Sequence, residues 1–251
     1  MADARRPHVW GLVAARAAAR ESTVSAADAC AVAAAVAGVD GAWLTVMSDP
    51  ARRVLVHATG PRAAELEDLQ FTLGEGPCVD AFAAGTPVLV PGLEAPGWRA
   101  RWPGFALVGV AAGAAAVFAF PLASGAIRVG VLGLYRDSPG SLSPAALADV
   151  LVCADVALQL VLSSRAGANG DGDGAGPVDG QRAQDGWPDD HARVYQATGM
   201  VSAQRGVGLE EALALLRAFA FAHDQALSEV AAAVVARRLR LDSDEPGEPA
   251  L

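Results

Sequence analysis

Lysine is missing from this chain of 251 residues: all nineteen basic positions are arginine. With the heavy alanine and glycine content this fits coding bias in a GC-rich genome, and it leaves every basic contact to a guanidinium. Aromatic side chains are scarce, at 6%, so a core must be built from Ala, Val and Leu packed closely. Only three cysteines occur, Cys30, Cys78 and Cys153. They make no CxxC pair and no Cys/His cluster, so neither a disulfide framework nor a metal site is expected. The four histidines are scattered, and there is no HExxH or GxSxG motif. Nothing therefore points to a catalytic residue or a cofactor, and the chain does not read as an enzyme. Positive charge is also short overall. A formal net charge of −9 disfavours nonspecific binding to nucleic acid or an anionic membrane. Any nucleic-acid contact must come from a local arginine patch.

No secretory signal is expected, because the first apolar stretch is cut by Arg16 and Arg20. Phe105 to Ile127 carries no charge and is long enough to raise the question of a membrane span. Gly109, Gly113, Pro121 and Gly125 break it, so a helix end, a turn and a buried strand are expected instead. A cytoplasmic protein without membrane contact is the expectation.

What is present is ample apolar material, 53% of the chain, arranged in two patterns. Residues 8–37 read as Ala-rich helix, with Ser25 as an N-cap and Gly38 as a stop. Ala42 to Ser48 and Arg53 to Thr59 are β-rich runs split by Asp49-Pro50, a hairpin signal. Pro61 opens a helix to Leu69; Gly74 to Cys78 is a loop, followed by a helical turn over 79–83. A short strand (86–90), a helix over 98–110 interrupted near Pro103, and two apolar strands (114–121 and 127–136) come next. In the last strand both faces are apolar, Val129, Val131 and Tyr135 on one and Leu132 and Leu134 on the other, as in a central strand covered on both sides. Ser143-Pro144 starts a helix to about Ser164. This order lacks regular β-α-β alternation, so the fold expected over residues 8–165 is a mixed α/β (α+β) domain: an antiparallel sheet flanked by helices.

Composition then breaks. Residues 166–186 are Gly- and Asp-rich with Val178 as their only large aliphatic residue, a flexible linker spanning roughly 25 Å on average. Residues 187–241 carry three helical segments (189–205, 209–223 and 226–240), a separate all-α domain. The acidic residues 242–251 read as a disordered tail.

Several residues admit two readings. Cys78, at a helix start, is either a thiol of lowered pKa or a small core residue. Trp43, Trp98, Trp102 and Phe105, with Glu75 and Cys78 of the Gly74-Glu75-Gly76-Pro77-Cys78 loop, either line a small-molecule pocket or form core. Glu75 can also cap backbone N–H groups. No GKS or GKT follows the glycines, so a phosphate-hydrolysing loop is not supported. In the C-terminal helices Val194, Ala197 and Val201, then Ala212, Leu216 and Ala220, then Leu227, Val230, Ala231 and Val234 are core stripes. Arg237, Arg238 and Arg240 either complement a helix C-terminus or contact phosphate. Tyr195 either stacks on a base or packs inside.

The run Leu69-Gln70, Leu73 to Ala81, with Arg101-Trp102-Pro103, Phe120-Pro121-Leu122 and Gly130-Val131-Leu132, resembles GAF domains of actinobacterial regulators. Tyr195 to Val201, Glu211-Ala212, Leu216-Arg217, Leu227 and Ala231-Ala232 are similar to an ANTAR domain. The resemblance implies a GAF sensory domain, open to a small-molecule ligand, controlling an ANTAR domain that binds RNA hairpins in nascent transcripts, prevents termination and acts as a homodimer. Under it Arg193, Gln196, Thr198, Gly199, Arg217, Arg237 and Arg238 become the candidate RNA contacts. Two departures stand out. Thr198 occupies a position where many ANTAR domains carry lysine, and a Gly-rich linker replaces the rigid helical connector, so coupling must run through docking or dimerisation. The competing functions are a signalling adaptor whose helical domain binds protein, and a cysteine-based reductase of free methionine sulfoxide. Steep salt dependence distinguishes RNA binding from the adaptor.

Overall fold

The computed structural model describes residues 4–49, 52–168, 190–223 and 225–241. The first alanine-rich stretch forms two helices, α1 (Arg5–Ala19) and α2 (Ala26–Ala37), where the sequence suggests one. The break is built around a buried acid. Asp28, 1% exposed, accepts the Ser25 N–H at 3.0 Å and hydroxyl at 2.7 Å, and its other oxygen takes Arg20 Nη2 at 2.5 Å. Ser25 is thus the N-cap expected, in a capping box. Glu21 absorbs the reversal at φ 52°, a left-handed conformation unusual outside glycine. Gly38, also left-handed, ends α2 as its sequence signals.

Next come β1 (Gly41–Asp49) and β2 (Arg52–Ala58), the expected antiparallel hairpin. Proline opens each of the following helices, α3 (Pro61–Leu73) and α4 (Pro77–Ala84), and a left-handed glycine closes each. Thus α3 runs four residues past its expected end, and the expected loop at Pro77-Cys78 is already helix. After β3 (Val88–Val90), Trp102 divides the single expected helix into α5 (Pro96–Arg101) and α6 (Pro103–Ala111), because Pro103 starts a new one. The uncharged segment resolves into that helix and β4 (Ala116–Ser124), and β5 (Ile127–Arg136) follows.

The five strands form one antiparallel sheet in the order β2-β1-β5-β4-β3, so β5 is central with an apolar residue on each face. Val129 departs from expectation. It is the extra residue of a bulge, skipped where Leu122 pairs with Gly130 and Ala123 with Arg128, and it joins the same core cluster as Leu132 and Leu134. That cluster holds α1, α2 and the 25-residue α7 (Pro144–Ala168) on one face of the sheet. Ala29, Ala33 and Cys30 of α2 meet Cys153, Ala154 and Ala157 of α7, small residues that let the helices approach closely. Through Ser164, α7 is long and apolar enough to cross a membrane, but its buried Val150, Val156, Leu158 and Val161 belong to this core. It also runs through Ala168, into the first residues assigned to the linker. The rest of the linker and the acidic tail lie outside the described residues.

The chain divides into two compact units, Met1–Gly180 and Gln181–Leu251. In the second, α8 (Asp190–Arg205), α9 (Leu209–Ala222) and α10 (Leu227–Val235) pack on one another through the three expected stripes, all buried. α10 ends five residues early, after which Arg237 takes the left-handed conformation, φ 57°.

Candidate functional sites

The glycine loop between α3 and α4 is a clamp whose polar groups are spent internally. Gly76 has φ 131°, and a Cβ there would lie 2.6–2.9 Å from the Gln70 side chain, so only glycine lets the loop close over that residue. Gln70, fully buried, accepts the Cys78 N–H at 2.8 Å through Oε1 and donates to the Leu66 carbonyl at 3.2 Å. Glu75 Oε1 accepts the Phe105 N–H at 2.8 Å, an orphan donor in the first turn of α6. Asp80 accepts Arg101 Nε at 2.5 Å and Trp102 Nε1 at 3.1 Å, and Trp98 stacks on Trp102 at 5.2 Å. The loop, through Glu75, and the first turn of α4, through Asp80, together tie α4, α5 and α6 to one another.

Beneath it lies the second face of the sheet. Trp43, fully buried, lies across Gly133 of β5, where a Cβ would come within 2.2 Å of Trp43 Cε2. Its indole Nε1 meets no oxygen or nitrogen acceptor among the described residues; the Cys78 sulfur, on which it acts, is a weak one. Beside it is a buried ion pair that sequence reading missed. Arg53 of β2 and Glu67 of α3, 2% and 1% exposed, approach at 3.5 Å between Nε and Oε1. The Thr45 hydroxyl donates to the same oxygen at 3.3 Å, and Arg53 lies over the Phe71 ring at 4.9 Å. Glu67 Oε2 meets no donor among the described residues. The signal existed: Glu67 and Gln70 share the helical stripe of Ala63, Leu66 and Phe71, and Arg53 alternates with Leu55 on the inward side of β2.

The structure thus groups the expected pocket residues in separate pairs. Trp43 joins Cys78, Trp98 joins Trp102, and Glu75 joins Phe105. All except half-buried Trp98 and Glu75 are core. Burial pushes Cys78 up to about 12, against lowering contributions from Gln70 and Trp43, and raises Cys153 to about 12 and Cys30 as well. A thiol at about 12 instead of 9 holds roughly a thousandth of the thiolate at pH 8. The expected result of an Ellman titration is no fast thiol in the folded chain and three after unfolding. A fast, stoichiometric reaction lost in Cys78→Ser would contradict it.

On the helical unit Arg193, Gln196, Gly199, Arg237 and Arg238 are exposed, and Arg217 and Tyr195 are half-buried. Thr198 is not on that surface. It is 4% exposed and its hydroxyl donates to the Val194 carbonyl at 2.7 Å, one turn back. The polar residue expected at a base edge is a satisfied core residue. The C-terminus of α10 is closed by a reciprocal pair, Arg237 N–H to the Val234 carbonyl at 2.9 Å and Arg238 N–H to Ala233 at 2.8 Å, the Schellman arrangement that normally carries glycine where Arg237 stands. Arg237→Gly should therefore raise thermal stability of this unit by about 1 kcal/mol while weakening any contact the guanidinium makes. A lower melting temperature would refute the strain.

A sequence model of the GAF domain matches residues 21–151, and one of the ANTAR domain matches residues 188–235. No curated protein matches the chain. Among solved structures, the GAF domain of a phosphoenolpyruvate-protein phosphotransferase from Acinetobacter is 14% identical over 67% of this chain and 98% of its own, with a TM-score of 0.48. The corresponding domain from Coxiella burnetii is 12% identical over 65% and 98%, also at 0.48. The free methionine-R-sulfoxide reductase of Neisseria meningitidis is 19% identical over 56% and 78%, at 0.40.

Proposed function

Since the chain belongs to the GAF domain family and carries an ANTAR domain behind it, we propose that it is a cytoplasmic regulator whose sensory unit controls binding of RNA hairpins, and thereby transcription termination, by the helical unit. In this reading residues 8–165 sense and residues 187–241 bind RNA as a homodimer. The ANTAR match over residues 188–235 carries the reading. It is supported by the exposed Arg193, Gln196, Arg237 and Arg238 in a domain that is balanced in charge within a chain of net charge −9, since guanidinium forks match phosphate geometry. A small-molecule signal would enter the first unit near Cys78 and Trp43, whose indole N–H meets no strong acceptor among the described residues. The buried, raised thiols give the reductase reading no nucleophile.

The test is a titration of the full chain against an RNA with two closely spaced hairpins and a single-hairpin control, at two salt concentrations. Tight binding that needs both hairpins, weakens steeply with salt and falls in Arg217→Ala or Arg237→Ala is the expected result. Absence of binding, in the full chain and in residues 187–251, would transfer the function to a protein partner.

A further inference from the structure

Among the described residues of the helical unit, the aromatic residue with the greatest exposure sits where no packing needs it. Phe221, in the last turn of α9, is 89% exposed, whereas its neighbour Phe219 is covered by the His223 ring at 3.9 Å. Ala214, Ala218 and Ala222, all exposed, surround Phe221 on the same side of α9, so the ring stands clear of other side chains. The carboxylates of α9, Glu210 and Glu211, sit in its first turn, about 15 Å away along the axis.

We propose that Phe221 is a stacking platform for one unpaired base of an RNA loop. The inference rests on the RNA reading above and goes further, naming the residue and the unpaired nucleotide as its target. Size decides between RNA and protein as occupant. A stable protein interface buries about 800 Å² on each partner, far more than one ring and three methyl groups provide. One ring matches one base. Stacking is indifferent to base identity because every base has a π face, so Phe221 contributes affinity for open loops over duplex.

The experiment uses the full chain, as wild type, Phe221→Ala and Phe221→Tyr, against the two-hairpin RNA and the same RNA with abasic loop nucleotides. Phe221→Ala should bind the intact RNA about tenfold more weakly, the scale of one lost stack, with an unchanged salt slope because no phosphate contact is removed. Phe221→Tyr should restore binding, and on the abasic RNA all three proteins should bind alike. If Phe221→Ala binds the intact RNA as wild type does, or loses as much on the abasic RNA, the stacking role is overturned while RNA binding stands. A change in sedimentation of the RNA-free protein on Phe221→Ala also overturns it, and makes the ring a protein contact. A wild-type chain that binds neither RNA removes the RNA reading and this inference together.

Discussion

Arg53→Met should cost the sensory unit about 3–5 kcal/mol, read as a fall in the urea midpoint. The guanidinium and the Glu67 carboxylate have both left water, at 2% and 1% exposure. Removing the cation leaves Glu67 with the Thr45 hydroxyl at 3.3 Å as its remaining partner. A buried charge so poorly compensated is among the few single defects that remove a third or more of a domain's 5–15 kcal/mol, to order of magnitude. The Phe71 ring also loses its cation. The pair itself is a weak source of stability, since desolvation offsets its attraction. Arg53→Met with Glu67→Leu should therefore recover most of the loss. A double variant as unstable as the single one would show that the site requires the cation for its own sake.

Gly133→Ala is the second large effect. One added methyl group would stand 2.2 Å from Trp43 Cε2 and 2.6 Å from Nε1. The indole cannot swing outward, because it is fully buried between the central strands and the helices above. Nor can the backbone yield easily: Gly133 pairs with Trp43 on one side and Ala119 on the other. Overpacking of this kind costs about 3 kcal/mol. Near-UV dichroism should change with it, because the indole must leave its place against Cys78. Unaltered spectra and an unaltered melting temperature would mean that the strand accommodates the methyl group without moving Trp43.

Where a local rule of chain chemistry operates, the fold was legible. Proline starts and left-handed glycine ends bound α3 and α4, the Asp49-Pro50 break separated β1 from β2, and two apolar faces placed β5 at the centre. The misses share one cause, a common residue in a conformation or environment that its type does not advertise. Glu21 and Arg237 adopt left-handed φ without being glycine, so neither the end of α1 nor that of α10 carries a sequence signal. Arg53 and Glu67 are charges inside, which hydropathy reads as surface. Thr198 is polar by composition, yet its hydroxyl is satisfied by its own helix and its methyl group can be buried. Glu75 and Gln70 were visible in the glycine motif, but their partners Phe105 and Cys78 become neighbours only once α6 and α4 have folded against the loop.

The strand order has a consequence for the time course of synthesis. β1 pairs with β2 across a short turn, and β4 with β5 across another, so both hairpins close as soon as they leave the ribosome. The pairing that unites them joins Gly41 to Tyr135 and waits for about ninety further residues to be made, roughly 5–20 s of translation. Throughout that interval the inner edge of β1 has no neighbour, and Trp43 has no strand to lie across. Closing so long a loop makes this step slow even in the finished chain, and during it the nascent β1–β2 hairpin is the segment that a chaperone must shield.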